Sequence, residues 1–583
     1  MCGFTVFYNI EELKSKDNTQ KLFNFIQNRG PDNNKKLDFD NITFLFSRLS
    51  IQDLSENGDQ PIVSKSGKFV MTFNGEIYNH LYIREKINSS FNNFEWKGTS
   101  DSETLIESFD CFGVQETLRD LSGMFSIFLF NTHTKEFYLI NDIFGEKPLY
   151  YEIADDYFMV SSNLNSFNFK KRKINSMQIS EVLKKNYIKY PNSIYENISK
   201  ISPATFKKYK ISDSLKMVYE KCYYEKSTKF SKLSDSFEDC SLKLEKILLD
   251  AVEEQLISDV EIGSFLSGGI DSSLISALMA KVSKKKINTY TIGFFNNKFD
   301  ESKYTTPISD HINSNHHIKK LDTSDVLEIF NNLLQAYDEP FSDSSQIPTL
   351  LLTKFASQHV KVALTGDGGD EMFGGYYRYI FNPKIWNYLK LIPKSIRPLF
   401  KSVFSNNKSI SVKTATFLLK ILSPRLSKTL YIENKLVSLF RAFDSNSLGD
   451  FTNNFSGHCD KETEKKIIIN QKSNFYNYED NYKIETVEDM MEQDVQSYLP
   501  GDLLVKVDRA AMNFGLETRM PFLNKKVYEY SKMLPIKYKI HNKQSKLILK
   551  NILNKYVPKK LIDRPKQGFL LPISDIFNEK STI

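Results

Sequence analysis

Short runs of alternating apolar and polar residues dominate the chain to about residue 170: Asn41 to Phe46, Phe69 to Phe73, Met124 to Phe130 and Glu136 to Ile140. A period of two sends successive side chains to opposite faces of a strand, and Gly, Asn and Asp turns separate the runs, so the pattern predicts a sheet-rich region. From Phe237 to Leu256 the spacing of Leu, Ile and Val becomes helical. A short apolar strand, Gly263 to Leu266, then runs into a Gly-rich turn, and a helix is predicted from near Leu274. Strand, Gly-rich loop and helix recur at Asn288 to Gly293 and Val360 to Gly366, which predicts a parallel sheet flanked by helices. The architecture therefore divides into a sheet-rich unit at 1–190, connecting strands and linker at 191–235, and an α/β unit at 236–583. Residues 380–480, rich in Lys, Asn and Phe, carry no readable motif.

Length agrees with that division, because 583 residues exceed one hydrophobic core and imply roughly two to four domains. Hydrophobic content of 40% and charged content of 26% are those of a globular protein. No apolar stretch approaches the roughly 20 residues that span a bilayer. The opening MCGFTVFYNI lacks the basic-then-apolar layout of a secretory signal, so a soluble cytoplasmic protein without a membrane partner is expected. The net charge of +7 is spread over many Lys and Glu residues without a basic block, which argues against a nucleic-acid partner. Cysteines at 2, 111, 222, 240 and 459 show neither CxxC spacing nor the density of a disulfide scaffold, so most are expected to be reduced structural thiols.

Cys2 is different because of its place. Removal of Met1 would leave a thiol and an α-amine on one residue, and an α-amine titrating near roughly 8 can accept the thiol proton. The thiolate can then attack a carboxamide carbon and form a thioester. Behind it come Arg29-Gly30-Pro31-Asp32, Arg48-Leu49-Ser50-Ile51, Asn74-Gly75-Glu76-Ile77-Tyr78-Asn79 and Ser100-Asp101. Taken singly, Asn74-Gly75 also suits a hairpin turn, Arg48 a surface ion pair and Asp101 a helix N-cap. As an ordered set, the residues resemble the class II glutamine amidotransferases, N-terminal-nucleophile (Ntn) hydrolases with an α/β/β/α sandwich. The resemblance implies that Arg48 pairs with the glutamine α-carboxylate, that Asp101 pairs with its α-ammonium, and that Asn74 and Gly75 donate to the oxyanion. Leu49, Ser50, Ile51, Gln52 and Glu76 complete the implied glutamine site. Arg supplies a bidentate fork for a carboxylate, and preorganised donors stabilise charge developing on a carbonyl oxygen.

In the second unit, Ser267-Gly268-Gly269-Ile270-Asp271-Ser272-Ser273 joins a strand to a helix. Successive small residues free backbone N–H groups to surround phosphate oxygens, and the helix N-terminus adds favourable dipole charge. The loop lacks the lysine of a Walker A motif. A second acidic loop follows at Thr365-Gly366-Asp367-Gly368-Gly369-Asp370-Glu371, continuing to Phe373-Gly374-Gly375-Tyr376. Together the loops resemble those of the ATP pyrophosphatases, enzymes of the PP-loop or adenine nucleotide α-hydrolase-like fold that cleave ATP to AMP and pyrophosphate. By that resemblance Asp271 and Asp370 would bind Mg²⁺, Leu266 and Ile292 would contact adenine, and Ser267, Gly268, Gly269, Ser272, Thr365 and Gly366 would hold the rest of ATP.

Tyr337-Asp338-Glu339-Pro340, Leu504 to Arg509, Leu516 to Leu523, Ser545-Lys546-Leu547-Ile548 and Arg564 to Phe569 extend the likeness over nearly the whole chain. The chain resembles the glutamine-hydrolysing asparagine synthetases. That resemblance implies aspartate, glutamine and ATP as substrates, a β-aspartyl-AMP intermediate, a shielded ammonia passage and a homodimer. It makes Lys546 catalytic, and also Asp367, which stands where some members carry a Glu. A same-fold enzyme acting on another carboxylate, such as a sugar acid in surface-polysaccharide assembly, is the alternative, and Arg509 and Arg519 are candidate binders of the acceptor carboxylate. Two departures stand out: Asn141-Asp142 replaces the family's Arg-Asp, and only a short tail follows Phe569.

Overall fold

The computed structural model describes residues 2–91, 94–225, 230–295, 300, 302–397, 412–417, 432–457 and 483–563. Met1, Cys459, the Arg564 to Phe569 motif and the tail lie outside the described residues. The alternating runs form β1 (Gly3–Tyr8), β2 (Asn33–Phe39), β3 (Ile42–Arg48), β4 (Ile62–Val63), β5 (Phe69–Ile77), β6 (Gly123–Asn131), β7 (Glu136–Asn141), β8 (Tyr150–Ile153) and β9 (Phe158–Ser161). The stretch expected to be connecting strands and linker supplies β10 (Ser199–Lys200), β11 (Thr205–Ile211) and β12 (Leu215–Cys222). These complete two six-stranded antiparallel sheets, in the orders β10-β8-β9-β1-β3-β2 and β12-β11-β7-β6-β5-β4.

Strand parity builds the layers. Phe4, Val6, Phe44 and Phe46 of one sheet meet Val70, Phe128, Phe130 and Phe137 of the other between the sheets. The intervening Phe7 and Leu45 point outward, where they pack on Leu22, Phe23 and Ile26 of the helix Lys16–Ile26. On the far side, Ile127 and Leu129 pack on Leu105, Ile106 and Phe109 of the helix Asp101–Phe112. The result is an α/β/β/α sandwich whose central strands are apolar on both faces because a helical layer covers each sheet.

Five parallel strands form the second unit: β13 (Ile262–Phe265), β14 (Asn288–Phe294), β15 (Asn315–Leu321), β16 (Val362–Leu364) and β17 (Glu517–Arg519), in the order β15-β14-β13-β16-β17. Leu244 and Leu248 of the helix Phe237–Glu254 pack with Leu274 and Leu278 of the helix Ile270–Val282. Ala356 and Ala511, from the helices Gln346–Ala356 and Leu504–Met512, pack on Phe265, Tyr290 and Ala363. The strand order reverses between β13 and β16, and in a doubly wound sheet the crevice beyond the carboxyl ends at that point is where ligands bind. The helix after β13 starts at Ile270 rather than near Leu274, since Gly269 caps it, and this places Asp271 in the first turn where the dipole favours an anion.

The units share a buried boundary. Leu49, Ile51, Tyr78 and Met124 cluster with Val362 and Met512. Lys200 pairs with Glu339 at 2.6 Å, and Arg29 grips Asp508 through two bonds of 2.9 and 3.1 Å. Among the described residues no helix is long and apolar enough to cross a membrane.

Candidate active site

Cys2 is buried at the head of β1, and its backbone nitrogen donates to Asn74 Oδ1 at 3.2 Å. Burial pushes the thiol up, against the Leu49 backbone N–H and the Arg48 charge, so the resting side chain is a thiol. Asn74 sits within β5 opposite Ser126, and its buried Nδ2 has no hydrogen-bond partner among the described residues. A buried orphan donor is costly, and an oxyanion beside the thiol would satisfy it. Gly75 is required sterically, for a Cβ there would lie 2.0 Å from the Met124 carbonyl oxygen. Asn74-Gly75 is therefore mid-strand, not a hairpin turn.

Two carboxyls lie buried near this point. Glu76 is raised well above the usual range by burial and by Asp101, although Arg519 opposes, and Gln52 Nε2 donates to it. Burial also raises Asp101 to about 6, while the Ile77 N–H bonded to it at 2.9 Å pulls the other way. Ser100, not Asp101, caps the helix, accepting from Glu103 N at 3.2 Å. An ammonium group placed beside these two buried carboxyls would favour their ionised forms. Arg48 is buried rather than at the surface: Nη1 reaches Asp59 at 2.8 Å and Ser55 O at 2.7 Å, and Nη2 bonds the Gln52 and Asp53 carbonyls. Its Nη protons are thus taken, and a ligand carboxylate would have to displace one of these oxygens. Ser50 turns its N–H to Asp32 at 2.8 Å, and the Ile51 carbonyl accepts from Asp259 N at 2.9 Å, so this loop is anchored to the boundary with the second unit.

At the β13–β16 crevice a cavity of about 300 Å³ is lined by both Gly-rich loops. Leu266, Ile292 and Leu352 supply an apolar wall, and Ser267, Asp271, Asp367 and Asp370 a polar one. Ser267 and Ser272 bond through their hydroxyls at 2.9 Å, closing the first loop. Lys546 is buried between the two loops, bonded to Asp271 and lying 2.6 Å from Asp370 Oδ1. Burial alone would lower its pKa, but the two carboxylates hold it well above the usual lysine range. Asp271 and Asp370 therefore already share one cation, and their carboxylate oxygens are the hard donor type that could hold Mg²⁺. Asp367 is held by Thr365 Oγ1 at 2.7 Å.

Sequence reasoning missed part of the wall. Glu371, Tyr376, Ser345 and Lys506 also line the cavity. Glu371 is pushed up to about 8 by burial and by Asp370 and bonds the Tyr376 hydroxyl, while Lys506 Nζ donates to Ser345 Oγ at 3.0 Å. The only signal for Glu371 was its place beside Asp370. The acceptor role read for Arg509 and Arg519 is corrected. Arg519 is fully buried on Glu517 at 2.6 Å and on the Gln255 and Ile257 carbonyls at 2.8 Å. Arg509 lies between Asp508 at 3.1 Å and Asp338 at 3.4 Å. Both are consumed at the boundary between the units, where Arg519 also meets Glu76 of the first unit at 3.3 Å and Arg509 donates to the Tyr150 hydroxyl at 2.9 Å. At Asn141-Asp142 the departure from the family leaves an ordered turn: Asp142 accepts from the backbone of Phe144, Gly145, Glu146 and Lys147, and Asn141 Nδ2 bonds Ile201 O at 3.0 Å.

Comparison with known proteins agrees with both halves of this geometry. The family model described as "Asparagine synthase" matches residues 243–582, and that of the "Glutamine amidotransferase domain" matches residues 1–223. A curated relative, "Asparagine synthetase [glutamine-hydrolyzing] 1" of Bacillus subtilis, is 26% identical over 98% of this chain and 87% of its own length. "Putative asparagine synthetase [glutamine-hydrolyzing] 2" of Methanocaldococcus jannaschii is 30% identical over 68% of this chain and 79% of its own. The solved structure of "the allosteric regulatory enzyme of purine biosynthesis" aligns with 55% of this chain and 80% of its own at 11% identity and a TM-score of 0.29, a likeness too weak to bear on the fold. With one family model covering more than half its length, an amidotransferase model covering the rest of its front, and the Asp271–Lys546–Asp370 crevice in place, the chain belongs to the asparagine synthase family.

Proposed function

We propose that this protein is a cytoplasmic glutamine-hydrolysing asparagine synthetase, which releases ammonia from glutamine at Cys2 and transfers it to aspartate in the β13–β16 crevice with cleavage of ATP to AMP and pyrophosphate. The observation that carries the reading is the convergence of Asp271 and Asp370, from the ends of two different strands, on Lys546 beside a cavity open to a nucleotide.

In the first unit, once Met1 is removed, the Cys2 nitrogen is an α-amine already held on Asn74. It takes the thiol proton, the sulfur attacks the carboxamide carbon, and Asn74 Nδ2 with the Gly75 N–H receives the oxyanion. Asp101 and Glu76 hold the α-ammonium, and Arg48 exchanges one of its present oxygens for the α-carboxylate. Loss of ammonia leaves a thioester, which water cleaves to glutamate.

In the second unit Leu266 and Ile292 flank adenine, and the Ser267–Ser272 loop holds the phosphates. Mg²⁺ held by Asp271 and Asp370 would neutralise the leaving pyrophosphate. Lys546 stabilises charge as the aspartate side-chain carboxylate attacks the α-phosphate, giving β-aspartyl-AMP. Lys506 and Ser345, which are bonded to each other in the cavity wall, orient the acceptor. Ammonia must arrive unprotonated to displace AMP, which a passage between the units that excludes water would favour.

With purified protein, ATP, Mg²⁺, glutamine and aspartate, AMP and asparagine should appear in equal amounts. Cys2→Ala should abolish synthesis from glutamine and keep synthesis from ammonium salts. Asn74→Ala should cut glutamine hydrolysis by roughly 10²- to 10³-fold. Turnover of a sugar acid but not aspartate would overturn the product, and unchanged pyrophosphate release in Asp271→Asn would overturn the nucleotide site.

A further inference from the structure

Ammonia released before the acceptor is activated is wasted, and one unbroken set of contacts joins the two centres. Arg29 Nε donates to the Cys2 carbonyl at 3.3 Å, and the same guanidinium donates to Asp508 through Nη1 at 2.9 Å and Nη2 at 3.1 Å. Asp508 lies on the helix Leu504–Met512. Residues two apart on an α-helix point roughly 200° apart, so Lys506 and Asp508 face opposite sides of it. Leu503, Lys506 and Val507 line the nucleotide cavity, while Asp508 faces the first unit.

The surroundings suit a transmitter. Asp508 is 1% exposed and is also approached by Lys147 at 3.4 Å and Arg509 at 3.1 Å, so three cations hold one carboxylate. Lys147 belongs to the turn fixed by Asp142, which gives the pair a firm backing in the first unit. The helix continues directly from a π-helical segment, Asp494–Leu503, that contains Pro500 and Gly501. π-helical turns occur frequently at functional sites, and coupling between sites needs an element with two arrangements.

We infer that Asp508 is a positioning residue that couples the two centres: filling the nucleotide cavity shifts the helix Leu504–Met512, and Asp508 carries the shift through Arg29 to the Cys2 backbone, raising glutamine hydrolysis. The inference rests on the proposed function, since it needs glutamine hydrolysis at Cys2 and a nucleotide beside Lys506.

The test is glutamate release by the full chain with and without a non-hydrolysable ATP analogue, Mg²⁺ and aspartate, with ammonium-driven AMP formation as a separate measure of the second site. The wild type should be stimulated about fivefold or more, and Asp508→Asn and Arg29→Lys should lose most of that ratio while ammonium-driven AMP formation stays within about threefold. Arg29→Lys keeps the charge and removes only the fork, so it decides the matter if Asp508→Asn fails to fold. A wild type with no stimulation, or a folded Arg29→Lys enzyme with the wild-type ratio, overturns the coupling and leaves the proposed function standing. A wild type that releases no glutamate overturns that function as well.

Discussion

Asp101 is a short acidic side chain that sequence alone leaves between a helix cap and a ligand contact. Its neighbour Ser100 takes the cap, and burial raises the Asp101 carboxyl to about 6, so below that pH it is protonated in the free protein. Its folded pKa lies above its ordinary value, so the stability it contributes is present at low pH and lost as pH rises from about 4 through about 6. A bound ammonium reverses that loss by favouring the ionised form. Glutamine should therefore raise the melting temperature more at pH 7 than at pH 5, and kcat/KM for glutamine should climb through about pH 6. In Asp101→Asn the climb should vanish and kcat/KM should fall roughly 10²-fold, which a pH series of glutamate release would check. Cys2, Asn74 and Asp101 stood out in the sequence because each belongs to a short ordered motif, and the fold buries all three. The engagement of Arg48 by Asp59 was not, since that bond depends on how the loop between them folds back.

At the scale of elements, glycine lets the two Gly-rich loops touch: a Cβ at Gly366 would lie 2.7 Å from Ser272 N. A Cβ at Gly375 would lie 1.8 Å from Asp370 Oδ1 and 2.1 Å from Lys546 Cε, so the turn after the helix Gly369–Phe373 must be bare for the lysine to enter. Gly375→Ala should accordingly reduce AMP formation by about 10²-fold or more, a loss like that of misplacing a reacting group by an ångström, and leave glutamine hydrolysis within about threefold. Parallel assays of pyrophosphate and glutamate would separate the two. The strand–loop–helix repeats predicted a parallel sheet, and it is present. Its order was not readable, because β17 comes from a segment more than 150 residues after β16 and only long-range pairing places it there.

At the scale of the molecule, the boundary between the units is ionic as well as apolar. Lys200, 2% exposed, meets Glu339 at 2.6 Å, and Asp338 accepts from Leu164 N at 2.9 Å and from Tyr150 at 3.3 Å. The Tyr337 to Pro340 motif is thus a fastening between the units. Lys200→Met would leave a buried carboxylate unpaired and should cost about 3 to 5 kcal/mol at the boundary. Urea unfolding followed by separate probes in each unit should then show the two transitions drawing apart, where a single coincident transition would refute this role.

The sequence by itself determined the layers and the place of the Gly-rich loops. Period-two runs made the sandwich, strand–loop–helix repeats made the parallel sheet, and short motifs such as Ser267 to Ser273 marked the loops, because these depend on neighbours a few residues apart. Tertiary structure alone decided that β10 to β12 complete the sandwich, that Arg509 and Arg519 serve the boundary, and that Lys546 stands between Asp271 and Asp370. Each of those outcomes is a meeting of charges or strand edges far apart in the chain, and which partner a buried charge finds depends on the packing that encloses it.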